Sequence, residues 1–360
     1  MKMITLKRVY DMDRNQNFTI INKNKRQVLK EILPLEKPLA LFIEPTNICN
    51  FKCKPCAHGQ KKNCEDLKPF QHMDYDLYCR MIEELKDWEG GKLKLLRLTA
   101  LGEPFMHPRM CDMIRLAKEA NIAERVDLFS NGSLVTEEIS RQIIDAQLDF
   151  IRFSIYAVMP DHHREIVQNP FSVQKIRENI ARLRELRDAS GKNKPYIQVK
   201  MFDNYNYEND VFVAMYKDIA DEVGFEKVHD ATKYNDSDLV GSYYDNPDDA
   251  KRTREEFKHS LNDFKTCPRP FMAMVVCAGG DVVMCTHDAP RATKIDNVKE
   301  HSLKEIWMGH NLYKFREMLL TGHKERNRLC RNCEWFRLFP PEDNVDGFPL
   351  EKLPGRNVND

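Results

Sequence analysis

From residue 39 to residue 230 the sequence alternates six short apolar runs with five longer amphipathic ones. The apolar runs, "LALFIEP", "KLLRLTALGEP", "RVDLFSNG", "DFIRFSIY", "YIQVKMF" and "FEKVHD", read as strands. Between them lie helical patterns. "DYDLYCRMIEELKDW" opens on a capping Asp74 and sets Leu77, Met81, Leu85 and Trp88 on one stripe. "PRMCDMIRLAKEA" starts at Pro108, and "TEEISRQIIDAQ" is capped by Thr136. "SVQKIRENIARLRELRDAS" and "NDVFVAMYKDIADEVG" complete the set. Strand and helix in strict alternation mean right-handed crossovers and a parallel sheet, so the fold class is α/β. Neither a GxGxxG nor a GxxxxGK turn follows any strand, so no nucleotide-cradling fingerprint is present. Parallel barrels carry their chemistry at the carboxyl ends of the strands. There the chain places a cysteine-rich loop, "LGEP", "SNG" and "SIY".

Composition narrows the function classes. Lys plus Arg number 56 and Asp plus Glu 56. There is no basic excess of the kind that grips nucleic acid, and no nucleic-acid partner is expected. Apolar residues are 42% of the 360, enough for a sizeable core. No apolar run reaches the ~18 residues of a membrane span. "MKMITLKRVYDMDRNQNF" has no apolar leader segment, so the expectation is a cytoplasmic chain without a membrane anchor. Thiols stay reduced there, and the eleven cysteines read as metal ligands or packing residues rather than disulfides.

Cys49, Cys53 and Cys56 fall within "CNFKCKPC", directly after the first strand. A closed structural metal site takes four ligands. Either a fourth arrives from elsewhere, with Cys64 the nearest candidate for a zinc knuckle, or one coordination position is left open. Cys267, Cys277, Cys285 and the "CRNC" pair Cys330 and Cys333 form a second group. Cys79 and Cys111 lie in helical patterns and read as packing residues.

These residues resemble the radical S-adenosylmethionine (SAM) enzymes. The match rests on Cys49-x3-Cys53-x2-Cys56 after the first strand and on "LGEP", which looks like that family's GGE-type SAM-binding motif. It covers about residues 37 to 336. One departure is Pro55, where many relatives have an aromatic residue that packs on adenine. The resemblance implies a partial (β/α)6 TIM-like barrel and a [4Fe–4S] cluster on the three thiolates. SAM occupies the fourth iron and is cleaved reductively to methionine and a 5′-deoxyadenosyl radical. Gly102, Glu103 and Pro104 would then bind SAM, with Glu103 on the methionyl ammonium. Ser154 looks like the ribose-contacting position, and Asn131 sits at a comparable turn. Arg152, on the strand face of Ser154, and His229, after the sixth strand, are the catalytic candidates. A single-electron donor such as flavodoxin or ferredoxin is the implied partner.

The rest of the chain divides as an N-terminal arm (1–36), the barrel (37–230), a polar linker over the barrel mouth (231–266), a cysteine module (267–336) and an extended tail (337–360). In the module, 271–277 and 281–285 read as a hairpin turning at Gly279-Gly280, followed by a helical stretch and "CRNC". This resembles a SPASM/Twitch extension in its truncated, Twitch form. Cys267, Cys285, Cys330 and Cys333 would hold one auxiliary [4Fe–4S] cluster, and Cys277 would be spare. A zinc ribbon suits the same spacing. His162 and His163 are read as solvent-facing residues of a loop. The expected activity is hydrogen abstraction from a small molecule, dehydrogenating an alcohol carbon of a carbohydrate, aminocyclitol or nucleotide sugar. The alternatives are a ribosomal-peptide maturase, a redox-neutral epimerase and a zinc-stabilised scaffold without activity.

Overall fold

The computed structural model describes residues 27–60, 65–229 and 238–356. Cys64, most of the N-terminal arm and the start of the linker lie outside the described residues. Six parallel strands follow the expected rhythm: β1 (Ala40–Ile43), β2 (Leu95–Arg97), β3 (Val126–Ser130), β4 (Phe150–Ser154), β5 (Tyr196–Phe202) and β6 (Glu222–Glu226). The α/β, partial-barrel class is borne out.

Helices cover the outer face. In the helix Tyr75–Asp87, Asp74 accepts from the Leu77 amide at 2.8 Å, and Leu77, Tyr78, Met81, Ile82 and Leu85 are buried. Each such side chain contributes about 1.5–3 kcal/mol on leaving water. They meet Leu41, Leu96, Leu128, Ile151 and Val199 from alternate strand positions in one continuous core.

The opposite strand positions face inward and are largely polar. Arg97 and Asp127 pair through two bonds of 2.7 and 2.8 Å. Gln198 reaches Glu222 at 2.8 Å. Arg152 and Lys200 both engage Glu226.

The sixth unit corrects the sequence reading. The helix expected over 209–224 spans Glu208–Tyr216, and the strand expected over 225–230 is Glu222–Glu226. Register with β5 explains the shift. Gln198 to Phe202 pair with Glu222 to Glu226, which puts Val223 and Phe225 on the core side and the two glutamates inward.

The cysteine module continues the same sheet. β7 (Ala273–Val276) runs parallel to β1, with Phe42 opposite Val275 and Ile43 opposite Val276. β8 (Asp281–Val283) and β9 (Lys294–Asn297) follow antiparallel. The strand order is β6-β5-β4-β3-β2-β1-β7-β8-β9. A second core beneath this wing joins Leu29 of the arm, Phe42, Phe271 and the tail residues Val345, Phe348 and Leu353. The tail is therefore packed, through short 3-10 turns at Pro341–Asp343 and Leu350–Lys352, rather than extended. The expected linker also differs. Helices Leu239–Tyr243 and Pro247–His259 pack Val240, Tyr243 and Tyr244 on Ala157, Ile166 and Val228. Among the described residues no helix is long and apolar enough to cross a membrane.

Candidate active site

The chain leaves β1 at Glu44 and enters the cysteine loop. Phe51, between Cys49 and Cys53, is buried and meets His163 and Phe171 edge-on or tilted, anchoring the loop in the core. The Lys52 and Lys54 amides donate to the carbonyls of Val167 and Ile166 at 3.1 and 2.8 Å. Those carbonyls end the helix Pro160–Val167, so the loop hangs from it. This helix carries both histidines read as solvent-facing loop residues. His163 is buried, and His162 bonds Glu208 at 2.7 Å. Hydrogen bonding to Glu208 raises the His162 pKa against the effect of burial. The same carboxylate accepts from the Val158 and Met159 amides at 2.5 and 2.9 Å, bracing the helix start.

"LGEP" docks on the other side. Gly102 sits at φ +80°, and a Cβ there would meet Thr46 O at 2.4 Å and Ile48 O at 2.8 Å, so only glycine fits. The Glu103 amide donates to Ile48 O at 2.9 Å. The Glu103 carboxylate is 2% exposed. It accepts from Ser130 Oγ at 2.8 Å, the Asn131 amide at 2.7 Å and the Phe105 amide at 3.3 Å. Burial pushes its pKa up to about 7 against those bonds. Pro104 opens the short turn that Glu103 caps. Asn131 Nδ2 donates to Asn50 Oδ1 at 2.8 Å and also lies against the Cys49 thiol. Gly102, Glu103, Pro104 and Asn131 thus converge on the three-cysteine loop, and Glu103 ties two loops together.

Ser154 is half-buried at the end of β4, on the inner face with Arg152. Arg152 lies 4.7 Å over the Phe129 ring. Lys200 Nζ is 2.9 Å from Glu226 and 3.9 Å over Phe202. Burial lowers Lys200 to about 8. Burial raises the Glu226 carboxyl, but Arg152 and Lys200 outweigh it and hold it well below the usual range. Cys53 feels the Lys200 charge. The Tyr156 phenol is pushed up by burial and then by Cys53, Cys56 and Glu226. Lys200, Glu226 and Tyr156 therefore belong with the cysteine loop, and sequence reasoning missed them. The available signal was Gln198 and Lys200 alternating within an otherwise apolar strand. His229 lies 4.7 Å from the Phe257 ring and within electrostatic reach of both Glu226 and His287.

The second centre assembles from three segments. Burial raises the Cys267 thiol to about 12, with Cys333 next in effect, and burial raises Cys285 to about 12. Cys330 is pushed up by burial and then by Cys267, Cys285 and Cys333, so the four thiols share one site. Cys277 is not among them. It is 2% exposed in the second core.

A common device shapes both centres. The His287 amide donates to Cys285 Sγ at 3.4 Å, and the amides of Phe51, Arg269 and Trp335, likewise two positions on, act on Cys49, Cys267 and Cys333 to lower their thiol pKa against burial. Such bonds stabilise the thiolate that a metal ligand must become.

Glu44 links the two centres. It is fully buried at the end of β1 and accepts from the Leu101 amide at 3.1 Å, the Ala278 amide at 3.1 Å and Arg291 Nη2 at 2.8 Å. One carboxylate thus holds the "LGEP" loop, the hairpin turn and the module together. Its sequence signal was a lone acid closing an apolar strand.

Residues 43–192 match the radical SAM superfamily, and residues 267–334 match an iron-sulfur cluster-binding domain, SPASM. The chain carries a radical SAM domain followed by a SPASM domain. Its two matched domains are of the kinds that take SAM and iron–sulfur clusters. Among curated proteins it is 29% identical over 161 residues to the tungsten-containing aldehyde ferredoxin oxidoreductase cofactor-modifying protein of Pyrococcus furiosus, spanning 45% of this chain and 42% of that protein. It is 32% identical over 68 residues to the SAM-dependent 2-deoxy-scyllo-inosamine dehydrogenase of Niallia circulans, spanning 19% of this chain and 27% of that one. The chain thus spans less than half the length of each of these relatives. In fold it resembles Streptococcus suis SuiB bound to the precursor peptide SuiA, with a TM-score of 0.60 at 14% identity over 85% of this chain and 73% of that one.

Proposed function

We propose that this chain is a radical SAM oxidoreductase that dehydrogenates an alcohol carbon of a small, hydroxyl-rich and negatively charged substrate, such as a nucleotide sugar or a phosphorylated carbohydrate or aminocyclitol. Cys49, Cys53 and Cys56 hold the catalytic [4Fe–4S] cluster, and Cys267, Cys285, Cys330 and Cys333 hold an auxiliary one. When bound, the first cluster and SAM supply one-electron cleavage of the sulfonium.

The observation that carries the reading is the pair of thiol sets, one in the loop after β1 and one gathered around the hairpin whose β7 pairs with β1, the two regions being joined through Glu44. Three thiols leave a position open for a cosubstrate, and four close a site suited to electron transfer alone. Donor spacing favours clusters over single zinc ions. Zinc bonds of ~2.3 Å in a tetrahedron set sulfurs roughly 3.8 Å apart. Among the described residues, no three of these cysteine sulfurs lie within 4.8 Å of one another.

The chain's own residues do the positioning. Glu103 and Gly102 fix the "LGEP" and "SNG" turns against the cysteine loop. Arg152 and Lys200 converge on Glu226, which sets two cationic side chains on the inner face of the barrel beside the cysteine loop. They suit an anionic group on the substrate. Helices Leu239–Tyr243 and Pro247–His259 pack on the segments that follow β4 and β6, which favours a small molecule over a long peptide. The curated dehydrogenase relative acts, by its name, on an aminocyclitol.

The test is an anaerobic screen of nucleotide sugars, phosphorylated sugars and aminocyclitols beside peptides, reading 5′-deoxyadenosine. Heavy water then separates oxidation from epimerisation. Oxidation gives a product two hydrogens lighter, without deuterium at the attacked carbon, and Cys277→Ala stays active. Turnover with peptides alone sinks the substrate class. A product of unchanged constitution carrying one solvent deuterium sinks the dehydrogenase reading.

A further inference from the structure

The loop that delivers Cys330 and Cys333 carries more positive charge than ligation needs. Residues 321–338 hold five basic side chains, Lys324, Arg326, Arg328, Arg331 and Arg337, against two acids, Glu325 and Glu334, in a chain of zero net charge. Both acids are engaged locally, Glu325 with His323 at 3.2 Å and Glu334 with Arg337 at 3.5 Å. Lys324 donates to Cys333 O at 2.8 Å. Arg326, Arg328 and Arg331 stand exposed. Among the described residues, neither Arg326 nor Arg331 forms an ion pair within 4.0 Å.

These arginines sit on a built scaffold. Asn327 Oδ1 accepts from the Leu329 and Cys330 amides at 3.0 and 3.3 Å. Asn327 Nδ2 donates to Ala292 O at 2.7 Å, and Arg328 donates to Pro290 O at 2.9 Å. Arg331 follows Cys330 directly, so exposed charge lies one residue from a ligand thiol. The three-cysteine loop differs. Lys54 there is paired with Glu165, and the helix Pro160–Val167 packs against the loop. Clustered like charges repel one another and add nothing to folding, whereas they speed encounter with an oppositely charged partner by about 10–10³-fold.

We propose that the face formed by Arg326, Arg328 and Arg331 is the docking surface for an acidic one-electron carrier protein, which exchanges its electron with the four-cysteine centre. In the reducing direction the carrier loses one electron and the centre gains one; no bond or proton moves. The inference rests on the reading of that centre as redox-active.

The experiment uses the reconstituted full chain and an acidic flavodoxin as probe. Affinity is measured at ionic strengths of ~0.05 and ~0.25 M, which shortens the reach of exposed charges about twofold. Reoxidation of reduced flavodoxin is followed separately. The expected result is saturable binding that weakens about tenfold with salt, and by about tenfold in Arg326→Glu/Arg331→Glu. Arg326→Gln/Arg331→Gln should fall between. Lys175→Glu/Arg182→Glu, on the exposed face of the helix Val173–Ala189, should bind like the parent. Absence of saturable binding, or binding indifferent to Arg326→Glu/Arg331→Glu, overturns the proposal. Arginine-dependent binding without flavodoxin reoxidation supports the docking face and overturns the redox reading of the centre.

Discussion

The cysteines of the first centre come from eight consecutive residues, whereas those of the second are drawn from positions 267 to 333. The short loop sets its own ligand spacing but borrows its shape from the barrel, through Ile166 and Val167, "LGEP" and "SNG". The second site is assembled by tertiary structure, from a hairpin, a turn and the "CRNC" loop. A local site tolerates little freedom because one position must stay open. A distributed site closes on its metal and draws stability from the elements it ties together. Glu44 is where the two strategies meet.

Breaking the distributed site should separate the two roles most sharply. Cys330→Ala/Cys333→Ala is expected to abolish product formation while leaving SAM cleavage within about tenfold of the parent, read as 5′-deoxyadenosine without product. Equal loss of both would erase the division of labour.

Glu44→Gln comes next. It removes a buried charge from Arg291 and disturbs two amide bonds, so a loss of about 3–5 kcal/mol is expected, read as a lowered unfolding midpoint. A change under about 1 kcal/mol would mean that the two regions are not joined through this carboxylate.

Glu103→Gln tests the local loop. The exchange leaves Ser130 and Asn131 facing a poorer acceptor and should cost about 1–3 kcal/mol, together with weaker SAM binding. If Glu103 serves only the SAM ammonium, stability will not move. Its pKa supplies a pH signature. Burial raises it from 4.5 to about 7, so the folded protein keeps a proton that the unfolded chain has lost. This group's contribution to stability therefore declines as pH rises from 4.5 towards 7. A cationic ligand favours the ionised form, so SAM affinity should rise through the same window.

The smallest effect is expected at His162. Glu208 raises its pKa in the fold, so the pair stabilises below the ordinary value of 6.5 and its contribution is lost as pH climbs through the raised value. His162→Gln should cost at most about 1 kcal/mol, more at pH 5.5 than at pH 8.5, with the change felt at the three-cysteine loop through the helix Pro160–Val167.

Much of the barrel was legible because its strands alternate on a fixed period and its helices carry caps, as at Asp74 and Thr136. The cysteine loop was legible because its ligands are neighbours in sequence. What escaped depended on pairing between distant segments. The start of β6 is set by register with β5, and Glu222, Gly224 and Glu226 hide its alternation. The union of β7 with β1 leaves no trace in local pattern. Lys200, Glu226 and Glu44 acquire meaning only when the inner face of the sheet closes around them. The role of His162 likewise waits on Glu208, 46 residues away.

Iron content and SAM cleavage in the Cys49→Ala/Cys53→Ala/Cys56→Ala variant test the two-centre account most directly. After anaerobic reconstitution the parent should hold about eight irons per chain and the variant about four, from two four-iron clusters of which one is removed. The variant should form no 5′-deoxyadenosine. A variant that still cleaves SAM, or a parent that holds zinc in place of iron, would contradict the account.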